Sequence, residues 1–390
     1  MGKRVGMEVS IAVAEAACQA DVDVVAAYPI TPQTHIVEHL SELVAEGHLD
    51  AEFVPVESEH SAMSVCVGSS AAGARTFTST SSQGLALMNE VVYIASSLRL
   101  PIVMVVSNRS LSAPLSIWND HSDVMSVRDT GWIQVFVENG QEAYDHVFWA
   151  YRVGEDRGVL MPVMIHIDGF ILSHMVEPLE MVEEELVKRY LPPFEPIHRL
   201  HPEKPVTMGA FALPELYTEA KKAQDEALKA SWPVILQGWR EWAELTGRAY
   251  RPVETYRAED AEVVLVTMGS MGETACEAAD RMRAEDKRVG VVKIRLWRPF
   301  PFDELRAALR GVEVAVVFDR CVSFGGPGGP VASEVRAALY GEKDRPRVAN
   351  FIGGLAGRDV SPKDFQLMVE EALLSREDRQ EGYRIYGVRG

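Results

Sequence analysis

Val22-Asp23-Val24-Val25-Ala26-Ala27 runs straight into Tyr28-Pro29-Ile30-Thr31-Pro32, and a helical stretch follows over residues 33–46. A short apolar run, a polar turn and a helix form one unit. The unit recurs outward from this point, with apolar runs at 53–56, 76–80, 101–106 and 159–167 and helical stretches at 58–74 and 86–98. Such alternation predicts a parallel sheet buried on both faces, so the fold class is α/β. The 58–74 stretch is crowded with Ser, Ala and Gly, which predicts close packing, against a subunit partner among other possibilities.

Beyond residue 175 the rhythm breaks. Acidic helical pieces at 183–188 and 215–228 are interrupted by Leu191-Pro192-Pro193-Phe194 and by prolines at 202 and 205. This reads as a connecting arm with an embedded helix or two. Strands then return at 261–267, 289–296, 312–318 and 348–352, with helices at 274–284, 303–310, 332–340 and 363–374. The expected organisation is a first α/β domain over 1–175, an arm over 176–259, a smaller α/β domain over 260–375 and a polar tail over 376–390 that docks on a partner. A chain of 390 residues has room for two or three domains.

Composition excludes several classes of function. The net charge of −18 is spread along the chain, and such a field repels nucleic acid. No run approaches the ~20 apolar residues of a membrane span. Residues 5–17 are interrupted by Glu8 and Glu15 and read as an amphipathic helix rather than a signal peptide, which makes the cytoplasm the expected compartment. Cys18, Cys66, Cys276 and Cys321 are scattered without a C-x-x-C pair, so no zinc or iron–sulfur site is expected on this chain.

In open parallel sheets, ligands bind beyond the carboxyl ends of the strands. There the first domain places the Thr31 turn, Glu57-Ser58-Glu59-His60, the polar run 79–84, and Ser107-Asn108-Arg109 followed by Trp118-Asn119-Asp120-His121-Ser122-Asp123. Each has two readings. Thr31 either rigidifies a turn between prolines or presents a hydroxyl to a ligand. Glu59 serves the helix dipole or a ligand, and position alone favours the dipole. Arg109 either clamps Asp120 or Asp123 or binds an anion. His35 and His39 have metal-like spacing without an evident third ligand, so a solvated face is the expectation. The Asp120–Asp123 run reads as a hydrogen-bonded loop. The glycine- and proline-rich loop over 325–330 fails the dinucleotide pattern and reads as a tight turn.

Taken together, residues 27–34 (AYPITPQT), 56–63 (VESEHSAM), 71–78 (AAGARTFT), 82–88 (SQGLALM), 99–102 (RLPI), 117–123 (IWNDHSD), 129–134 (DTGWIQ) and 168–174 (DGFILSH) resemble the alpha subunits of the pyruvate:ferredoxin oxidoreductase (pyruvate synthase) type, within the 2-oxoacid:ferredoxin oxidoreductase family. Residues 266–270 (VTMGS), 298–301 (RPFP) and 351–360 (FIGGLAGRDV) continue the likeness through nearly the whole chain.

The resemblance implies a thiamine diphosphate pyrimidine-binding domain followed by a domain like the C-terminal one of transketolase. It implies a beta subunit that holds the diphosphate, its Mg2+ and a [4Fe-4S] cluster, along with gamma and ferredoxin-like delta subunits. Coenzyme A would be co-substrate and ferredoxin the electron carrier, in anaerobic metabolism. This chain has no G-D-G sequence, in keeping with a diphosphate held elsewhere and with activity only in a hetero-oligomer. Carried over residue by residue, Glu59 matches the cofactor-activating glutamate, Thr31 a substrate contact, and Arg109 the arginine paired with the substrate carboxylate. Pyruvate is the expected substrate, because residues 108–114 (NRSLSAP) differ from the run that the resemblance assigns to the 2-oxoglutarate and branched-chain types. Thr31 likewise stands where the oxalate type has arginine. Leu111, Ile117 and Trp118 are candidates for the apolar wall. The alternatives are the same chemistry on 2-oxoisovalerate, 2-oxoglutarate or oxalate, and a non-catalytic scaffolding subunit.

Overall fold

The computed structural model describes residues 2–375 and 382–389. In chain order the first part comprises β1 (Lys3–Glu8), α1 (Val9–Gln19), β2 (Val24–Ala27), α2 (Thr34–Ala45), β3 (Glu52–Pro55), α3 (Glu59–Ala72), β4 (Thr76–Thr80) and α4 (Ser82–Ser97). It continues with β5 (Val103–Asn108), α5 (Ser122–Ser126), β6 (Ile133–Phe136), α6 (Gly140–Gly154), β7 (Val163–Asp168) and β8 (Val176–Met181). Three helices follow: α7 (Glu184–Tyr190), α8 (Pro214–Ala230) and α9 (Trp232–Thr246). The remainder is β9 (Val253–Tyr256), β10 (Val263–Thr267), α10 (Met271–Arg283), β11 (Val289–Ile294), β12 (Leu296–Arg298), α11 (Phe302–Ala308), β13 (Val314–Asp319), α12 (Pro330–Leu339), β14 (Arg347–Ile352), α13 (Pro362–Leu374) and β15 (Arg384–Ile385).

Among the described residues the strands form a seven-stranded sheet in the order β12-β6-β7-β5-β4-β2-β3, a six-stranded sheet in the order β15-β14-β13-β10-β11-β9, and the pair β1-β8. Both large sheets are parallel apart from the edge strands β12 and β9. β4, β5, β7, β10 and β13 are buried along their whole length, as a two-faced parallel sheet demands, and all but the Thr- and Ser-rich β4 are largely apolar.

Three local outcomes differ from the sequence reading. Residues 5–17 are not one helix, because β1 pairs antiparallel with β8 and the helix begins only at Val9. The apolar run 289–296 is broken at Arg295. Its buried guanidinium is held by Glu142 at 2.5 Å and Glu254 at 2.8 Å, so β11 stays in the second sheet while β12 crosses to the edge of the first. Of the 376–390 tail, residues 376–381 and 390 lie outside the described residues. Its residues 384–385 form β15, a strand the sequence reading did not place, which pairs with β14 of the same chain.

Residues 176–259 are distributed among several neighbours. β8 pairs with β1, α9 packs on α6 through stacked Trp149 and Trp239 rings 4.9 Å apart, and β9 edges the second sheet. Apolar residues from the far face of the first sheet (Met104, Phe136) and from the second (Val264, Val317) belong to one continuous buried cluster. The two sheets therefore share an interior, and their carboxyl edges are held in fixed relation.

Candidate active site at the facing strand ends

The turn after β2 is pinned from beneath. Gln33, fully buried, donates from Nε2 to the carbonyl and the hydroxyl of Ser79, both at 2.8 Å, and its Oε1 accepts from the Ile30 amide at 3.2 Å. This ties the Thr31 turn to the end of β4 and leaves Thr31 itself exposed.

Arg109 follows β5 and reaches the same turn. Its Nη1 donates to the Thr31 carbonyl and its Nε to the Ser116 carbonyl, both at 2.9 Å. Nη2 makes no hydrogen bond among the described residues. The expected clamp to Asp120 or Asp123 does not form through the side chain. Asp123 instead accepts the Arg109 backbone amide at 3.0 Å and the Ser82 amide at 3.1 Å. Ser82, at φ 44°, sits in the left-handed region, and those contacts plus its own hydroxyl on the Ser110 carbonyl at 2.6 Å hold it there. Asp123 is completely buried, and that burial pushes its carboxyl up to about 7, with the Asp120 charge adding to it, against the Arg109 and Ser82 amides. Burial likewise lowers the Arg109 guanidinium, opposed by Asp123.

Glu59 opens α3 behind a Ser58 cap whose side chain accepts from the Ser61 amide. A carboxylate serving only the dipole would sit in solvent, yet Glu59 is 7% exposed. Among the described residues it has no hydrogen-bond partner. The start of α4 closes over it, since a Cβ at Gly84 would lie 2.7 Å from Glu59 Oε1 and 2.5 Å from the Thr80 hydroxyl. The Thr80 hydroxyl is also buried without a partner. A buried carboxylate without a donor is costly, and a ligand N–H would relieve it.

Thr31 and Arg109 are thus in direct contact. Glu59 joins them through α4, whose first residue holds the Asp123–Arg109 segment and whose third abuts the carboxylate. The rim is apolar: Trp118 is 49% exposed and packs on Phe170 with ring centroids 4.8 Å apart. Leu115 and Ile117 are also exposed, whereas Leu111 is half-buried.

The sequence reading missed a hub where the two sheets meet. Asp168, at the end of β7 and beside Asn108 in register, is fully buried. Its Oδ1 accepts from Asn119 at 3.0 Å and His121 at 2.9 Å, and its Oδ2 from the Ser270 amide at 3.0 Å, the Ser270 hydroxyl and Arg320 at 2.9 Å. Burial would raise this carboxyl, but Arg320 and His121 hold it well below the usual carboxylate range. Strand-end inspection of the second domain would have found Ser270 and Arg320, which follow β10 and β13.

The remaining candidates resolve locally. Asp120 accepts the amide and hydroxyl of Ser122 at 2.9 and 2.6 Å, as in a hydrogen-bonded loop. After the 325–330 turn, the first amides of α12 are taken by Asp319 at 2.7 and 3.1 Å, which leaves no anion seat there. His35 and His39 diverge to Glu8 at 2.6 Å and Glu15 at 2.7 Å, so they do not act as a pair.

Two facing α/β units, with a buried carboxylate that accepts no hydrogen bond among the described residues and an arginine at the carboxyl edge of the first sheet, give the chain a transketolase-like fold. The match to solved structures fits this. The split-gene transketolase (inactive beta4 tetramer) superposes with a TM-score of 0.54 at 16% identity, covering 95% of this chain and 99% of that one. The 2-oxoglutarate:ferredoxin oxidoreductase from Magnetococcus marinus superposes with a TM-score of 0.71 at 20% identity, covering 95% of this chain and 66% of that one.

Residues 15–236 match the family described as pyruvate flavodoxin/ferredoxin oxidoreductase, thiamine diP-bdg, and residues 261–365 match pyruvate:ferredoxin oxidoreductase core domain II. Pyruvate synthase subunit PorA of Methanothermobacter thermautotrophicus is 50% identical over 358 residues, 92% of each chain. The PorA of Thermotoga maritima is 48% identical over 387 residues, 98% of each. Ketoisovalerate oxidoreductase subunit VorA of Pyrococcus horikoshii is 46% identical over 366 residues, 92% of this chain and 91% of that one. The chain belongs to the pyruvate:ferredoxin oxidoreductase family, and its first domain is of the family's thiamine-diphosphate-binding kind.

Proposed function

We propose that this chain is the alpha subunit of a thiamine-diphosphate-dependent 2-oxoacid:ferredoxin oxidoreductase acting on pyruvate. With coenzyme A the complex forms acetyl-CoA and CO2 and reduces ferredoxin, reversibly. The observation that carries this reading is the buried, unpartnered Glu59 carboxylate, set through α4 against the Thr31–Arg109 contact. Thiamine diphosphate supplies a carbon nucleophile and an electron sink for decarboxylating 2-oxoacids.

Glu59 suits a ring N–H of its pyrimidine: it is largely buried and accepts no hydrogen bond among the described residues, so its carboxylate is open to such a donor. Gly84 makes room for the carboxylate, since a Cβ there would lie 2.7 Å from Glu59 Oε1. Arg109, with Nη1 and Nε committed to carbonyls, still offers its outer N–H groups as a fork for one carboxylate. Thr31, exposed and bonded to that guanidinium through its carbonyl, is the second substrate contact in this reading. The exposed Leu115, Ile117 and Trp118 supply an apolar rim suited to a methyl group.

In this reading residues 1–175 form the pyrimidine side of the pocket, 176–259 the connection and 260–375 the transketolase C-terminal-like unit. The diphosphate, its Mg2+ and a [4Fe-4S] cluster are held by a beta subunit, with gamma and delta subunits passing electrons to ferredoxin in the cytoplasm. The four cysteines of this chain are free, and burial raises all four thiols, which suits packing and not cluster ligation.

The likeness to VorA keeps a second substrate in play, a branched 2-oxoacid. Reconstituting the complex and comparing pyruvate, 2-oxoisovalerate, 2-oxoglutarate and oxalate as coenzyme A-dependent reductants of ferredoxin tests the assignment. Pyruvate should give the highest kcat/KM, and a preference for 2-oxoisovalerate would move the chain to the branched-chain type. The chain alone should be inactive with all four.

A further inference from the structure

Away from the strand-end pocket, three segments bring a carboxylate and two imidazoles together. Glu8 closes β1, His35 lies in the first turn of α2, and His174 follows β7. His35 Nδ1 lies 2.6 Å from Glu8 Oε1, the His35 and His174 rings are 4.6 Å apart, and one donor atom from each residue lies within 4.8 Å of the other two. We propose that Glu8, His35 and His174 bind a divalent ion of the zinc class.

The backbone around the three is already fixed. The Val9 amide donates to the Met175 carbonyl and the Ser10 amide to the Ser173 carbonyl, each at 3.0 Å, so the residues flanking Glu8 and His174 are stitched together. The Ser173 hydroxyl accepts from the Phe170 amide at 2.9 Å and bonds His174 Nδ1 at 2.7 Å, which fixes that ring and leaves Nε2 free to ligate. Phe170 packs on the same ring with centroids 4.6 Å apart, and it closes one side of the site with an apolar face. The side chain of His35 is 42% exposed, so solvent reaches the cluster and supplies a fourth ligand.

The donor set selects the ion. Two imidazole nitrogens and one carboxylate oxygen are the set that zinc takes with an open fourth position, whereas Mg2+ and Ca2+ seek oxygen alone. Ligand atoms around tetrahedral zinc lie roughly 3.3 Å apart, given bonds of about 2.0 Å, so closing the site asks for side-chain adjustment only. His39 with Glu15, one helical turn further along α2, has a carboxylate at 2.7 Å but no second imidazole among the described residues and serves as an internal comparison. An ion here would link the start of α2, which follows the Thr31 turn, to the segment that follows Asp168. Its expected consequence is a stiffer turn.

Full-length chain freed of metal by chelation and titrated with Co2+ provides the test. The expected result is saturation at one ion per chain, with the visible absorption of a four- or five-coordinate site, and displacement by Zn2+. His35→Ala and His174→Ala should each weaken binding by at least about tenfold, the lower end of what altering a metal site costs, while His39→Ala binds as the unaltered chain does. Glu8→Gln, which keeps the shape, should weaken it too, so that loss of binding is read apart from misfolding. Amide exchange over residues 28–36 should slow when Zn2+ is added. Failure to saturate at one ion, or equal binding by His174→Ala and His39→Ala, overturns the proposal.

Discussion

Two buried carboxylates at the carboxyl edge of the first sheet have opposite surroundings. Asp168 accepts from four residues, two of them from beyond the second sheet's strands, and its charge is held by Arg320 and His121. Glu59 accepts from none among the described residues, although it too is buried. A satisfied buried charge fastens the structure, and an unsatisfied one waits for a donor from outside. The contrast separates the part of this edge that holds the molecule together from the part that receives a ligand.

The largest expected effect separates the two directly. Asp168→Ala leaves Arg320 buried without its carboxylate and should cost about 3–5 kcal/mol of stability by denaturant unfolding. Glu59→Gln removes an unpaired buried charge and should leave stability unchanged or raise it. Equal losses would break the comparison. Next, Arg109→Lys keeps the charge but loses the fork. It should raise KM for pyruvate by roughly 10- to 100-fold, the equivalent of about 1.5–3 kcal/mol for a hydrogen bond to a charged group, with a smaller change in kcat. Gly84→Ala should cost about 1–3 kcal/mol through overpacking and should lower activity more than stability, because the added methyl displaces Glu59.

The smallest effect is on pH dependence. Asp123 and Glu138 are raised to about 7 and Asp319 to about 6, in each case chiefly by burial. A raised carboxyl binds its proton more tightly when folded, so its contribution is complete below the unfolded value near 4 and is lost as pH rises through 6 to 7. Asp168 is lowered, and its contribution is lost only as pH falls below that range. Buried His146 and His166, lowered to about 3, act in the opposite sense and add stability as pH rises towards the unfolded value near 6.5. The test is therefore the difference between chains: from pH 5 to pH 8 Asp123→Asn, which still accepts the Arg109 amide, should lose less stability than the unaltered chain. An identical decline in the variant would show that Asp123 is not among the groups responsible.

The sequence made the sheets legible because most of their central strands are short, largely apolar and separated by helices. Strands lacking that signature escaped. β1 includes Lys3, Arg4 and Gly6, β6 carries Gln134 within its four residues, and β12 is continuous with β11 in hydropathy. Nothing in an apolar run says that it bends, and the cause at Arg295 is a pair of glutamates, one from α6 and one from β9. At the site, the residues beyond the first sheet's strands were visible because only local chain order is needed to find them. Asp123 was visible too, but as a partner for the wrong atom, since a backbone amide has no letter in the sequence. The Glu8–His35–His174 cluster was hidden for a related reason. The spacing pointed to His39, and tertiary packing supplied different neighbours.

The central claim is that Glu59 is the cofactor-facing half of a site completed by another subunit. The most direct measurement is pyruvate- and coenzyme A-dependent ferredoxin reduction by the assembled complex carrying Glu59→Gln, with subunit composition and thermal unfolding recorded alongside. The expected result is a complex of normal composition and stability with activity down by at least about 100-fold, the lower bound for losing a proton-transfer role. Activity retained within about twofold, in a complex that still binds thiamine diphosphate, contradicts it.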